Sequence, residues 1–252
     1  MTAPLIVGNW KMNGLAADLV QARELATRLE HGAYRARAGI CPPATLLERM
    51  ARELAGSPVL LGGQDCHAEA FGAFTGEISA EMLAEAGASL VIVGHSERRA
   101  AHRETDTLIR AKASAAVEAG LLPILCVGET FAQRQAGIAL DVITGQVLLG
   151  LPRALAGLGE LEGRVCVAYE PAWAVGTDLV PTIDQIEHAH ATIRAALVEG
   201  LGAGGAAVHI LYGGSVNAEN AGDILHAAEV GGALIGRASL KADDFIGIIA
   251  AA

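Results

Sequence analysis

Long apolar segments are missing from this sequence, and with them the usual marks of a membrane or exported protein. No run of eighteen consecutive apolar residues occurs among the 252 residues, so no membrane span is predicted. The N-terminus also lacks a basic region followed by a long apolar stretch, which is the pattern of a secretion signal. We therefore expect a cytoplasmic protein without a membrane partner.

Cysteines are few, and their spacing carries no metal-site pattern. The chain has four, Cys41, Cys66, Cys126 and Cys166, with no C-x-x-C pair and no Cys/His pattern at ligand spacing. Three of them stand in or beside apolar segments, where a thiol usually behaves as a small buried hydrophobe. We expect reduced, buried cysteines and no bound metal.

Positive charge is in deficit. Lys and Arg number 18 against 28 Asp and Glu, which gives a net charge of −10. A surface of this sign argues against nucleic acid and anionic membranes as partners. It does not exclude a small anionic substrate, because a local lysine and helix N-termini can hold a phosphate group.

Short apolar segments alternate with amphipathic ones along the chain. The apolar segments are residues 5–7, 38–41, 59–61, 90–93, 121–127, 165–169, 208–212 and 232–235. Most are continuous rather than alternating, as strands buried on both faces are. Helical patterns occupy residues 18–30, 44–54, 105–119, 140–156, 182–198 and 218–228. Strands that alternate with helices predict a parallel sheet with right-handed crossovers.

Eight such units without a linker favour one α/β domain over residues 1–252, a single closed (β/α)8 barrel. A doubly wound open sheet is the alternative on pattern alone. No G-x-G-x-x-G follows the first strand, which weakens a dinucleotide-binding interpretation. In a barrel, functional residues lie at the carboxyl ends of the strands, so polar residues there carry more weight than others.

Three ionisable residues follow the first, fourth and sixth predicted strands: Lys11, His95 and Glu170. Partial desolvation at the end of a strand is expected to raise the pKa of Glu170 and make it a stronger base. His95 precedes a predicted helix start, where a neutral ring is favoured and can donate a hydrogen bond to a carbonyl. Alone, these residues also fit a loop glutamate, a core histidine and a surface lysine. Their convergence at one mouth favours catalysis.

Glycine-rich turns follow the last two predicted strands. Gly213, Gly214 and Ser215 end the seventh, and Gly236 follows the eighth. Glycines let backbone N–H groups approach an anion, and barrels commonly bind phosphate at these two strands. Lys11 adds a fixed positive charge near the mouth for the phosphate and a developing enolate. Alone, the glycines also fit an ordinary tight turn.

Other charged or titratable side chains are interpreted as structural. Glu129 and the pair Arg98 and Arg99 are expected in ion pairs. His190 is expected on the surface of a helix.

Six motifs, in order, resemble those of the triosephosphate isomerases. They are GNWKMNG at 8–14, GAFTGE at 72–77, VGHSERR at 93–99, CVGET at 126–130, AYEPAWAVGT at 168–177 and LYGGSV at 211–216. The resemblance spans most of the chain. It implies the (β/α)8 fold known as the TIM barrel. It also implies a cofactor-free isomerase of glycolysis and gluconeogenesis that interconverts dihydroxyacetone phosphate and D-glyceraldehyde 3-phosphate.

The resemblance also implies roles for individual residues. Glu170 would move a proton between C1 and C2, and His95 would act as a neutral proton donor at the substrate oxygens. Lys11 and Asn9 would stabilise the enediolate, and Glu97 would support the site from beside it. The backbone of four residues is implied in phosphate binding: Gly176, Gly214, Ser215 and Gly236.

Two further loops match the family. Residues 171–177 resemble its mobile lid, whose closure excludes water that would let the enediolate lose phosphate, and Trp173 resembles the lid's hinge. Residues 74–76 resemble a loop that enters a neighbouring subunit. Thr75 is therefore the implied contact of a homodimer.

The chain departs from the family pattern in three places. Residues 178–181 read Asp-Leu-Val-Pro where the family has glycine and a Lys-Thr-Ala hinge, and the stiff Val180 and Pro181 predict altered lid motion. Arg237 replaces the second glycine after the eighth strand, which keeps a backbone N–H but limits its conformation. Gly231 stands where an acidic residue is common, and nothing in the sequence explains it.

Other functions stay open from the residues themselves. An isomerase of a four-carbon ketose phosphate would use the same groups in a longer pocket. A lyase or synthase on this barrel would need further catalytic groups, which the sequence does not offer. A non-catalytic barrel would be expected to have lost Glu170, His95 or Lys11.

Overall fold

Parallel strands close into a barrel in which each strand is hydrogen-bonded to the next and the last to the first. The computed structural model describes residues 3–174 and 181–252. The strands are β1 (Leu5–Asn9), β2 (Arg37–Cys41), β3 (Leu60–Gly63), β4 (Leu90–Val93), β5 (Leu122–Val127), β6 (Cys166–Tyr169), β7 (His209–Tyr212) and β8 (Gly232–Ile235). Closure is direct, because Leu5 of β1 pairs with Gly232 of β8. The predicted barrel is confirmed and the open sheet is excluded.

Helices connect the strands around the outside of this barrel. They are α1 (Leu19–His31), α2 (Ala44–Glu53), α3 (Ala80–Glu85), α4 (Ser96–His102), α5 (Asp106–Glu118), α6 (Phe131–Gln135), α7 (Ala139–Gly150), α8 (Ile183–Leu201), α9 (Ala221–Leu225) and α10 (Ala242–Ala250). Over the residues described, none of these helices is long and apolar enough to cross a bilayer. The sequence pattern missed the short helices α3 and α6 and the C-terminal α10.

Two predicted helices are shorter than expected. The helix expected at residues 140–156 ends at Gly150, because Pro152 forces the residue before it, Leu151, into extended backbone. The helix expected at 218–228 begins only at Ala221. Before it, the side chain of Asn217 accepts hydrogen bonds from the backbone N–H groups of Glu219 and Asn220 and holds them in a turn.

Strand side chains fill two separate apolar layers. Leu5 and Val7 of β1 belong to a cluster drawn only from strands, which is the barrel interior, while Ile6 between them packs with the helices. This alternation explains why the strands are apolar throughout: both faces are buried. Three cysteines lie in the inner cluster, and all four cysteines are buried and free, as expected.

A buried histidine packs against the strand that ends at Tyr169. His190 on α8 has no exposed surface, and its ring stands edge-on to Tyr169 with centroids 5.9 Å apart. Its Nδ1 lies 3.1 Å from the backbone oxygen of Glu229, while Nε2 has no hydrogen-bond partner among the described residues. The helix-surface position expected for His190 is wrong, because it shares the inward face of α8 with Ile186 and Ile193.

This histidine makes stability depend on pH. Burial lowers the pKa of His190 to about 4, from about 6.5 for an exposed histidine. Between these two values only the unfolded chain takes up the proton, so the folded state loses stability as the pH falls through this range. From pH 7 to pH 5 we expect His190 to remove roughly 2 kcal/mol from the free energy of unfolding. Urea unfolding of wild type and His190→Asn at both pH values measures this loss.

The control is His188→Asn, since His188 is exposed on the same helix. The His190 variant should lose less stability on acidification than wild type, and the His188 variant should match wild type. An unchanged pH dependence in His190→Asn would contradict the prediction.

Candidate active site

A cavity of about 970 Å³ opens at the carboxyl ends of the strands. It is lined by most of the residues that the sequence singled out: Asn9, Lys11, His95, Glu170, Gly214, Ser215 and Gly236. Barrel closure brings them together although they are far apart in the chain. Gly176 lies outside the described residues, as do the altered hinge positions 178–180. Thr75 is exposed on the loop after β3, away from the cavity lining.

His95 caps the N-terminus of α4 and thereby fixes its own tautomer. Its Nδ1 accepts a hydrogen bond from the backbone N–H of Glu97 at 3.2 Å. An accepting Nδ1 leaves the ring hydrogen on Nε2, which lies 2.9 Å from Oε1 of Glu170. The fold therefore selects a neutral imidazole that donates from Nε2 at the cavity.

Glu170 follows β6 and is only 2% exposed. Besides the contact with His95, its Oε2 accepts the backbone N–H of Ser96 at 2.9 Å. Two glycines make this placement possible. A Cβ at Gly128 would lie 1.7 Å from the backbone oxygen of Glu170, and one at Gly213 would lie 2.8 Å from its Cγ. The glycines thus leave room for Glu170, and the end of β4 supplies both contacts to its carboxylate.

The pKa of Glu170 differs in direction from the sequence expectation. Burial raises it, but the facing His95 and the N–H of Ser96 lower it more, so the pKa lies below its ordinary value. The expected desolvation is present but is outweighed, first by the charge interaction with His95 and then by the hydrogen bonds from His95 and Ser96, and the resting side chain is ionised.

His95 shows the matching behaviour. Burial lowers its pKa, and the carboxylate of Glu170 raises it more, so in this arrangement the pKa lies above its ordinary value. Protonation would nevertheless place a second N–H at Nδ1, where the N–H of Glu97 already points. Protonation of the ring therefore requires the hydrogen bond from the N–H of Glu97 to be broken.

Lys11 is held in an unusual backbone conformation at the opposite side of the mouth. Its φ is +52°, in the left-handed region that residues other than glycine rarely occupy. Its N–H donates to Oδ1 of Asn9 at 3.0 Å, and its carbonyl accepts from Gln64 at 2.9 Å. Its Nζ lies 2.6 Å from Oε1 of Glu97. Glu97 therefore contacts Lys11 and does not line the cavity itself.

The turn after β7 brings backbone close to the cavity. A Cβ at Gly214 would lie 2.1 Å from the hydroxyl oxygen of Tyr212, so only glycine fits. Asn220 donates to the carbonyl of Ser215 at 3.2 Å and holds the end of the turn. Because α9 begins only at Ala221, its N-terminus does not lie directly after Ser215. Backbone N–H groups are what this corner offers an anion.

Glu129 is a structural hub, as expected. Its Oε1 is 3.0 Å from Arg134 and accepts hydrogen bonds from Trp173 at 2.7 Å and Tyr169 at 3.3 Å. The guanidinium of Arg134 also lies 4.8 Å from the centre of the Trp173 ring. This cluster fixes the chain just after Glu170.

The adjacent arginines are structural too. Arg98 pairs with Asp65 at 2.7 Å and Glu104 at 2.9 Å, and Arg99 pairs with Asp106 at 2.6 Å. These contacts fix α4, whose N-terminus carries His95.

Sequence reasoning missed Gln64, which donates to the carbonyl oxygens of both Lys11 and Cys41 at 2.9 Å. Gln64 directly follows β3, so the weight given to polar residues at strand ends could have found it. The sequence also gave no sign that Arg237 lines the cavity.

The mouth of this closed (β/α)8 barrel holds a buried carboxylate, an imidazole and an ammonium group. These groups are typical of a barrel enzyme that transfers protons. The family model described as triosephosphate isomerase matches residues 4–252. The chain belongs to the triosephosphate isomerase family.

Individual relatives agree along their whole length. The triosephosphate isomerase of Caulobacter vibrioides is 54% identical over 248 residues, which cover 98% of this chain and 96% of that protein. That of Ruegeria pomeroyi is 52% identical over 252 residues, 100% of this chain and 98% of that protein. A crystal structure of triosephosphate isomerase from Bartonella henselae superposes with a TM-score of 0.90 at 44% identity, covering 99% of this chain and 98% of that one.

The hydrogen bond between His95 and Glu170 can be tested in the free protein. His95→Asn keeps an acceptor at the cap position, because asparagine is a preferred N-cap, but removes the Nε2–H donor. With Ser96 left as the remaining donor, burial should raise the pKa of Glu170 above that in wild type. Carbon-13 NMR of the Glu170 carboxyl, assigned with Glu170→Gln, follows this titration.

His31→Asn, at the exposed end of α1, is the control and should leave the titration of Glu170 unchanged. If the carboxyl titrates at the same pH in all three proteins, His95 does not lower its pKa.

Proposed function

We propose that this chain interconverts dihydroxyacetone phosphate and D-glyceraldehyde 3-phosphate, acting as one domain over residues 1–252 and without a cofactor. The observation that carries the proposal is the contact of 2.9 Å between Oε1 of Glu170 and Nε2 of His95, at a mouth that Lys11 also lines. These are the base, the proton donor and the fixed charge that an aldose–ketose isomerisation needs.

Glu170 acts as the base. It takes a proton from the carbon next to the carbonyl, and the electron pair of that C–H bond moves to form the enediolate. For this its carboxylate leaves His95 and Ser96, the two donors that lower its pKa. Its proton affinity therefore rises when it faces carbon in a buried site. The same carboxyl then returns the proton to the neighbouring carbon.

His95 acts as a neutral proton donor to the substrate oxygens. Its Nε2–H is the free donor once Glu170 has turned away, because Nδ1 stays bonded to the N–H of Glu97. A neutral imidazole is a weak acid, so it supports an oxygen that becomes strongly basic as the enediolate forms. Lys11 and Asn9 flank the same cavity and stabilise the negative oxygen.

The phosphate is placed at the ends of β7 and β8. The backbone of Gly214, Ser215 and Gly236 lines this side of the cavity and offers N–H groups to the anion. By resemblance, Gly176 of the lid adds a further N–H when the lid closes over the substrate. Exclusion of water then protects the enediolate from loss of phosphate.

The four-carbon ketose phosphate alternative is not favoured. The relatives from Caulobacter vibrioides and Ruegeria pomeroyi, both above half identical, carry the triose name.

A homodimer is part of the proposal, and exposed apolar side chains on two loops support it. Met12 and Phe71 are 97% and 85% exposed, and Leu15 and Phe74 are exposed beside them in the same loops. Such a set of apolar side chains is unusual for a surface facing water. The loop after β3 is internally ordered, with the rings of His67 and Phe74 4.1 Å apart. Thr75, at its tip, would contact the neighbouring subunit.

The setting of the reaction follows from its substrate. Glycolysis and gluconeogenesis both pass through triose phosphates, so we place the enzyme in the cytoplasm. The net charge of −10 gives no support for nucleic acid or anionic membranes as further partners.

The catalytic assignment predicts a selective loss in Glu170→Asp. The shorter side chain draws the carboxylate back by more than about 1 Å, which should lower kcat roughly a hundredfold or more with KM little changed. A coupled assay of glyceraldehyde 3-phosphate consumption measures both constants. Glu199→Asp, an equal change at an exposed position of α8, should match wild type.

A slow wild type in this assay would reject the triose substrate and direct attention to longer sugar phosphates. A fast Glu170→Asp would leave the activity standing and remove Glu170 as its base.

The dimer predicts a second result. Thr75→Arg places a charged side chain in the proposed contact, so sedimentation should change from the mass of two chains to that of one. By resemblance, the loop that enters from the neighbouring subunit supports Lys11, whose backbone conformation is strained, so isomerase activity should fall as well. Ala195→Arg, exposed on α8, is the control. A wild type that sediments as one chain and is fully active would contradict the dimer.

A further inference from the structure

Arg237 brings a second cation to the mouth of the barrel. It directly follows Gly236 at the end of β8, its side chain is exposed, and it lines the same cavity as Ser215 and Gly214. The backbone here is close to Lys11, because a Cβ built on Gly236 would lie 3.8 Å from Cε of that lysine. Arg237 is thus placed beside the corner that offers backbone N–H groups to phosphate.

The two cations, Lys11 and Arg237, differ in whether they are already paired with a carboxylate. Lys11 already contacts the carboxylate of Glu97 at 2.6 Å. Within residues 3–174 and 181–252, no carboxylate lies within 4.0 Å of the guanidinium of Arg237 in an ion pair. Among the described lining residues, Arg237 is therefore the cation that is not in an ion pair.

The rest of the cavity lining is acidic, so a positive charge there favours the binding of an anion. Its lining includes the carboxylates of Glu170, Glu219 and Asp244, and the chain as a whole carries −10. A phosphate dianion approaching this mouth meets like charge, which disfavours binding. Arg237 is placed to offset that repulsion locally.

The backbone that carries Arg237 is firmly held. The indole N–H of Trp10 donates to the carbonyl of Ser239 at 3.1 Å, and the hydroxyl of Ser239 donates to the carbonyl of Gly236 at 2.7 Å. The N–H of Leu240 closes the turn on the carbonyl of Arg237 at 3.1 Å. The backbone position from which the side chain of Arg237 extends is therefore fixed, next to the turns that offer N–H groups to phosphate.

We propose that the guanidinium of Arg237 pairs with the phosphate of the substrate and sets its affinity. The inference rests on the proposed function, since it takes the substrate to be phosphorylated. Guanidinium presents a planar fork of N–H donors that matches phosphate oxygens, and it keeps its charge at any working pH. A side chain thereby supplements the backbone contacts at the position where the family pattern has a second glycine.

This placement predicts which kinetic constant depends on Arg237. The phosphate lies away from the reacting carbons and keeps its charge during the reaction, so the ion pair stabilises substrate and transition state alike. Loss of such uniform binding raises KM and leaves kcat unchanged.

Arg237→Gln is the informative variant, because glutamine removes the charge but is a long, unbranched side chain with backbone preferences similar to those of arginine. We expect KM for glyceraldehyde 3-phosphate and the inhibition constant of inorganic phosphate each to rise roughly tenfold, with kcat unchanged. Arg237→Lys should recover part of the loss. Added sodium chloride should lower the affinity of the wild type for phosphate more than that of the variant, because salt screens the ion pair. Wild type and Arg237→Gln should convert unphosphorylated D-glyceraldehyde with the same kcat/KM.

Arg153→Gln is the matched control, since Arg153 is exposed in the turn Arg153–Leu155 and does not line this cavity. It changes the net charge equally and should behave as wild type. Unchanged KM and phosphate inhibition in Arg237→Gln would overturn the proposal. An equal loss in Arg153→Gln would also overturn it, by assigning the effect to overall charge.

Failure of the proposed function would be separately visible. A wild type that does not isomerise triose phosphates rejects that function, yet calorimetry with inorganic phosphate still tests Arg237. Weaker phosphate binding by Arg237→Gln than by wild type supports the ion pair, and equal binding rejects it.

Discussion

The hydrogen bond between His95 and Glu170 depends on almost every level of the structure. It joins the end of β4 to the end of β6 across β5, so it requires these three strands to be paired in register. It also requires the cap at α4, because the N–H of Glu97 at Nδ1 is what leaves a hydrogen on Nε2. A distance of 2.9 Å between side chains from different strands leaves little room for backbone displacement.

Structural ion pairs under the mouth restrict that displacement. Arg99 donates to the carbonyl of Gly94 at 2.8 Å and to that of Cys126 at 3.0 Å, and it pairs with Asp106 at 2.6 Å. One guanidinium thus ties the residue before His95 to β5 and to the start of α5. Such partly buried pairs are weak evidence for stability, because desolvation costs offset the attraction, but they define one arrangement of the elements they join.

How far sequence predicts this protein depends on whether a feature is local. The strands were predictable because both of their faces are apolar, and the positions of Lys11, His95 and Glu170 at strand ends followed from the barrel. The direction of the Glu170 pKa was not predictable, since it depends on a distance to His95, a residue 75 positions earlier in the chain. His190 was misjudged for a related reason: amphipathic spacing does not tell which polar residue on an inward face is buried.

The charges at the mouth are arranged so that chemistry and affinity reside in different groups. In the proposed reaction His95 is neutral and Glu170 begins as a carboxylate, so proton transfer to Glu170 would exchange one negative charge for another on the substrate oxygen. Lys11 begins in contact with Glu97 and can exchange that partner for the new oxyanion without adding charge to the resting site. None of these three groups offers an unpaired positive charge to a phosphate dianion. That task falls to backbone N–H groups and to Arg237, whose guanidinium stands outside the proton-transfer chain and can bind the anion without disturbing its pKa balance.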